Sequence, residues 1–191
     1  MRFSLPRVFA RLPHLVAVFP LALAGCAGMP PTAPPASEVL QAFTLQGRVS
    51  VQYGEESLSG QLDWRAQADG DEVLLSSPLG QGMAAISRNK AGVRLVRPGE
   101  PAVVAENVEM LTRSELGFRL PLSGLRYWVQ ARPDPARPSK IRLDTAGGVE
   151  QIAQDGWRID YLQYQESRPR KIQVSREGLE IRLVVDQWQT N

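Results

Sequence analysis

The chain has 191 residues, with 22 lysines and arginines against 20 aspartates and glutamates, one histidine and one cysteine. That length suffices for one domain with a real core. His14 and Cys26 both lie in the first 26 residues. Beyond them there is no Ser-His or Cys-His pair for catalysis, no histidine or thiol for a metal, and no disulfide.

Arg2, Arg7 and Arg11, with no acidic residue among them, precede the apolar run Leu15–Ala24, LVAVFPLALA. The run is too short to span a bilayer and reads as the core of a secretory signal. It ends in Leu23-Ala24-Gly25-Cys26, which resembles the lipobox of bacterial lipoproteins. The resemblance implies cleavage of residues 1–25, a thioether-linked diacylglycerol on Cys26 and acylation of its new amine. No other cofactor and no metal is expected. The absence of aspartate after Cys26 argues, by the sorting pattern of such proteins, against retention in an inner membrane. Removing the three arginines of the signal leaves 19 basic against 20 acidic residues. Nothing in that balance favours nucleic acid. Residues 27–36, AGMPPTAPPA, hold four prolines and no charge, so residues 26–36 are read as lipidated cysteine plus spacer, and residues 37–191 as the domain.

From residue 43 the apolar period is two. Phe43, Leu45, Gly47, Val49, Val51 and Tyr53 alternate with polar residues, and after the turn-like GEES (54–57) the alternation resumes at Leu58, Gly60, Leu62 and Trp64. Val93/Leu95, Ile141/Leu143, Trp157/Ile159/Tyr161, Ile172/Val174 and Leu179/Ile181/Leu183/Val185 repeat it. Short strands with one apolar face indicate an antiparallel meander, which tends to curl toward a barrel. One interval departs from this. Residues 106–116 suit a helix stopped by Gly117, with Val108, Met110 and Leu111 as its apolar side. Pro121 then opens a second helix bearing Leu122, Leu125, Trp128 and Val129 on one stripe. Residues 132–140, RPDPARPSK, form a loop. The fold class is mainly β with some α: an incomplete antiparallel β-barrel whose open side two short helices can plug.

Gly80-Gln81-Gly82-Met83-Ala84-Ala85 matches the form of a dinucleotide-binding loop. Such a loop needs a βαβ unit, and a meander surrounds this one instead, so a phosphate cradle is rejected. No nucleotide-binding P-loop motif is present either. Leu79, between Pro78 and Gly80, then has two readings: a plug folded onto the core, or an apolar tip exposed on a membrane-tethered protein. Glu55-Glu56, Asp69/Asp71/Glu72 and Asp134 read as solvated turn charges rather than acid–base or calcium sites. Ser57, Ser59, Ser123 and Ser175 lack a nucleophile elbow, and a Ser-Lys pair with Lys90, Lys140 or Lys171 is left open. Trp64, Trp128, Trp157 and Trp188 suit core packing or the wall of an apolar ligand cavity.

Gly47-Arg48 in the first strand, LDW ending at Trp64, SSPLGQ (76–81), LPLSGLRYW (120–128), QDGW (154–157) before Tyr161 and a last strand ending at Trp188 together resemble the LolB family of outer-membrane lipoprotein receptors. The resemblance runs from the lipobox to the C-terminus. It implies an apolar cavity for the acyl chains of other lipoproteins, received from a periplasmic carrier and inserted into the outer membrane without direct ATP use. It implies no enzymatic activity, and it makes Leu79 the tip that enters lipid. From strand parity and helix stripe, Trp64, Met83, Leu111, Leu125 and Trp128 are expected to line the cavity. Nothing suggests a heptad seam, so a monomer is expected. Competing readings are a lipoprotein that binds another apolar ligand such as phospholipid or assists envelope assembly, a lipid-anchored hydrolase, and a structural tether with a filled barrel.

Overall fold

The computed structural model of this protein describes residues 38–190, which fall within one compact unit. Cys26, the lipobox and the spacer lie outside these residues.

Six strands come first: β1 Phe43–Tyr53, β2 Glu56–Gln67, β3 Gly70–Ser76, β4 Gly82–Asn89, β5 Gly92–Val96 and β6 Val103–Ala105. Two helices follow, α1 Val108–Leu116 and α2 Leu122–Trp128, and then β7 Ser139–Leu143, β8 Val149–Gln154, β9 Trp157–Gln165, β10 Arg168–Arg176 and β11 Leu179–Gln189. All eleven strands make a single antiparallel sheet in the order β6-β5-β4-β3-β2-β1-β11-β10-β9-β8-β7. The sheet is not closed. Its edges are β6 and β7, and the chain that passes from one edge to the other carries both helices. The helical segment therefore belongs at the opening of the sheet, where the sequence placed it.

Strand parity sets the core. In β1, Phe43, Leu45, Gly47 and Val51 are buried, and Val49, half-buried, packs against the same cluster. Gly47 faces β11 so closely that a Cβ there would sit 2.3 Å from the Val184 carbonyl oxygen. The first turn is tighter than GEES suggests: only Gly54 and Glu55 remain outside the strands, Gly54 with φ +58°. One strand departs from the expected pattern. All of β7 is exposed, including Ile141 and Leu143. Alternation marks the strand correctly, but β7 is an edge strand and its apolar face has no covering layer.

Asn107 caps α1, its Oδ1 accepting from the Met110 amide at 2.8 Å, and Gly117 ends the helix in the left-handed region at φ +77°. Val108 and Leu111 are buried and α1 packs against β5 and β6, whereas Met110 points out, 56% exposed, contrary to its expected place on the apolar side. Pro121 is the residue before α2 rather than its first. A seven-residue helix has little stability of its own. Tertiary bonds hold α2, among them those of Arg126 and Trp128.

Candidate functional site

The inner face of the sheet and the underside of the helical segment enclose a cavity with a wholly apolar lining. Val49, Val51, Leu58, Leu62 and Trp64 form one wall and Ile172, Val174, Ile181 and Leu183 the other. Phe118, Leu120, Leu122, Leu125 and Val129 form the roof. Its volume is about 80 Å³, well below the roughly 300–1,000 Å³ of typical ligand sites. The walls and roof are apolar throughout, and the space between them is small.

Two of the five expected lining residues, Trp64 and Leu125, are on this cavity. The other three are elsewhere, each for a physical reason. Met83 is the extra residue of a bulge in β4, because Leu75 pairs with Ala84 and Ser76 with Gly82; a bulged residue leaves the parity of its strand. Leu111 is buried on α1, which packs against β5 and β6, and is not on the cavity lining. Trp128 packs on Trp157, ring centroids 6.3 Å apart, and donates its indole N–H to Gln154 Oε1 at 2.9 Å. An indole N–H needs a partner when buried, and a dry cavity has none to give. Trp64 meets the same demand differently, keeping its ring on the cavity and donating to Asp71 Oδ1 at 3.0 Å.

That aspartate corrects the sequence reading. Asp71 is not a solvated turn charge; it is 3% exposed and accepts from Trp64, from Arg88 Nε at 2.7 Å and from Arg126 Nη1 at 2.9 Å. Arg126, also buried, sends Nη2 to the carbonyls of Gln41 at 2.5 Å and Gln67 at 2.7 Å. Just beyond α2, Gln130 Oε1 accepts from the Leu40 amide at 2.8 Å, and the Trp128 carbonyl accepts from Tyr161 Oη at 2.7 Å. Sequence signals for this network exist. Asp71 shares parity with Val73 and Leu75, and Arg126 sits four residues after Leu122 on the apolar stripe of α2. Burial pushes the Tyr161 hydroxyl well above the usual phenol range and raises Tyr164 to about 12.

Leu79 is the opposite extreme from Asp71: it is 91% exposed, in the β3–β4 loop. The loop is held by the Ser77 amide donating to the Gln81 carbonyl at 2.7 Å and the Gly80 amide to the Ser77 carbonyl at 2.8 Å, with Gly80 at φ +84°. Leu79 does not fold back onto the core. Gly82 to Ala85 lie in strand β4, not at the start of a helix. Among the described residues, no three carboxylates, histidines or cysteines converge as a metal site would require.

An open antiparallel sheet curled under two helices is a LolA-like fold. The chain superposes on a LolA superfamily protein from Nitrosomonas europaea with a TM-score of 0.51 at 9% identity, covering 79% of this chain and 86% of that one. A DUF1329 family protein from Desulfovibrio piger matches with a TM-score of 0.51 at 7% identity, covering 81% and 87%. In sequence, residues 41–188 match the family model described as outer membrane lipoprotein LolB. Two proteins named outer-membrane lipoprotein LolB are similar throughout. The one from Thiobacillus denitrificans is 51% identical over 92% of this chain and 96% of that protein. The one from Azoarcus sp. is 39% identical over 87% and 89%. The chain belongs to the LolB family, and with that family its place is the outer membrane, in lipoprotein localisation.

Proposed function

We propose that the chain is a lipid-anchored receptor that takes the acyl chains of a client lipoprotein from a periplasmic carrier into the cavity under α2, and releases them into the outer membrane through Leu79. The wholly apolar cavity carries this reading. Each CH₂ moved from water into an apolar site is worth about 0.8 kcal/mol, so one long acyl chain crossing water unprotected costs on the order of 10 kcal/mol. A client with several chains must pass from one apolar site directly to the next. Successive gains in affinity would give the direction, with no nucleotide consumed by this chain. In this reading lipid on Cys26 anchors a monomer, whose domain works on the client next to its own membrane.

A cavity of about 80 Å³ must enlarge before it admits a chain. The roof is unevenly secured. The α2 end is fixed by Arg126, Trp128 and Gln130 to residues of three other segments. The α1 end has the Arg97–Glu115 ion pair at 2.6 Å, partly exposed, and the Leu120 amide donating to Thr112 Oγ1 at 2.8 Å. Phe118 rests against the half-exposed Tyr53 ring, centroids 5.7 Å apart. The roof would lift at Phe118 and Leu120, with α1, while α2 stays.

The test is transfer of a radiolabelled lipoprotein from loaded carrier to the unlipidated domain, and then to liposomes, with native Leu79 and with Leu79→Glu. Native protein should take the client and pass it on; Leu79→Glu should take it and retain it. If neither form takes the client while both bind phospholipid, the cavity serves another apolar ligand and the receptor reading is lost.

A further inference from the structure

A second concavity, separate from the apolar cavity, lies outside the helical segment between α1, the start of α2, the loop after α2 and the β8–β9 turn. It is an open groove of about 1,000 Å³. Four arginines line it: Arg113 on α1, Arg119 in the link to α2, Arg137 in the loop and Arg176 at the end of β10. Its acids are Glu109, Asp134 and Asp155. Arg137 is engaged by Asp155 at 2.9 Å and Asp134 at 3.8 Å. Arg176 lies over the Trp157 ring, 5.8 Å from its centroid. Arg113 and Arg119 have no ion pair or hydrogen bond among the described residues, and Glu109 is the one acid of the groove in the same condition. The groove therefore presents three guanidinium groups outside any ion pair, Arg176 on its Trp157 side, against a single unpaired carboxylate, with the exposed Met110 also on its lining.

The register fixes where this groove faces. Tyr53 pairs with Glu56 and with Leu179, Ser175 with Arg158, and Ser76 with Gly82. The turns after β1, β3, β8 and β10 thus all open at one end of the sheet. Leu79 and the Trp157–Arg176 side of the groove share that end. A protein held at the outer membrane always has a phospholipid surface within reach, at high effective concentration.

We propose that this groove binds the phosphate of an anionic phospholipid headgroup, with Arg113, Arg119 and Arg176 as the anion partners and Met110 against its apolar part. Planar guanidinium forks suit phosphate oxygens, and basic residues near an anionic bilayer strengthen binding about fivefold each. The groove would set the orientation in which the end bearing Leu79 meets the membrane. It rests on the reading of Leu79 as the membrane tip only for that orientation.

The experiment is vesicle flotation of the unlipidated domain, whose strands, helices and core all lie in the compact unit described above. Vesicles of phosphatidylcholine alone are compared with vesicles in which about a quarter is phosphatidylglycerol, at low and high salt. Native protein should prefer the anionic vesicles at low salt by on the order of tenfold. Arg113→Gln with Arg119→Gln should remove most of that preference without altering binding to neutral vesicles. Lys90→Gln, in the β4–β5 turn at the other end of the sheet, should leave it unchanged. Retained preference in the double variant, or equal loss in Lys90→Gln, overturns the proposal. A native chain with no anionic preference also overturns it and leaves the groove to an acidic protein surface. Leu79→Glu separates the two readings: loss of neutral-vesicle binding with the anionic preference kept supports both, whereas unchanged neutral binding removes the tip and not the groove.

Discussion

Arg126 on α2 meets Asp71 on β3 in the interior of the protein, Nη1 to Oδ1 at 2.9 Å, with side chains 9% and 1% exposed. The pair joins the shortest, intrinsically weakest helix to the hairpin of β2 and β3. Two carbonyls and the Trp64 indole complete the set, so each buried charge has its hydrogen bonds as well as its counter-ion. Removing one member of such a pair strands the other. Asp71→Ala would leave Arg126 buried without its carboxylate, at a cost of about 3–5 kcal/mol. Arg88→Gln should cost clearly less, because Arg88 is 32% exposed and Arg126 still satisfies Asp71. Urea unfolding of the unlipidated domain checks both; equal midpoints for Asp71→Ala and native protein would show that the network adds nothing.

Gly124 lies inside α2, where alanine would ordinarily stabilise a helix by about 1 kcal/mol. Here the sign should reverse. A Cβ at residue 124 would sit 2.5 Å from Cζ2 of Trp128. That ring cannot swing away, being 1% exposed, packed on Trp157 and bonded to Gln154. Crowding a packed core costs typically 1–3 kcal/mol. Gly124→Ala should therefore lower stability by about 1–2 kcal/mol net, and a raised melting temperature would contradict the packing described.

These two sites mark where the sequence was readable and where it was not. Parity alone identifies the inward residues of β1, β2, β10 and β11, because a covered sheet face leaves a period of two. It also predicts β7, but parity cannot say whether a face is covered, and Ile141 and Leu143 are exposed. The bulge at Met83 breaks the counting rule itself. Trp128 is inward by its helix stripe, yet its need for a hydrogen-bond acceptor draws it to Gln154 and away from the cavity. Asp71 is misread because DGDE looks like a turn, although it stands two residues before Val73 and four before Leu75, where the alternation already points it inward. Charge type outweighed position in that reading, and position was the better guide.

Tyr161 and Tyr164 give the protein a pH dependence at the alkaline end. The Tyr161 hydroxyl donates to the Trp128 carbonyl, and that of Tyr164 to the Val149 carbonyl at 2.5 Å. Both are harder to ionise in the folded chain than in the unfolded one, mainly through burial. The unfolded chain releases these protons near pH 10. Between there and about 12, where Tyr164 titrates in the fold, the unfolded state binds fewer protons, so stability falls as pH rises. Their contribution is whole below pH 10. Chemical denaturation at stepped pH should show the decline beginning near 10, and Tyr164→Phe should make it shallower. A Tyr164→Phe chain with the native slope would mean that its hydroxyl is not held as described.

The unequal fixing of the two helices predicts how the roof opens. Opening free energies within one domain range from near zero to the global value, and weakly bonded elements occupy the low end. Residues 108–120 depend on a partly exposed ion pair, a helix cap and contacts with the short edge strand β6. Residues 125–130 depend on the Asp71–Arg126 network, the Trp128–Gln154 bond and the Gln130–Leu40 bond. Amide hydrogens of α1 and of Leu120 should exchange at least tenfold faster than those of Val129 and Ala131, which bond to the Leu125 and Trp128 carbonyls. Arg97→Gln, which removes the pairing with Glu115 and Glu100, should quicken exchange in α1 and leave the α2 end unchanged. A loaded acyl chain should protect α1 and the link, since the roof can then close on something. Uniform exchange across both helices would mean that the roof moves as one piece and that α1 does not lift separately from α2.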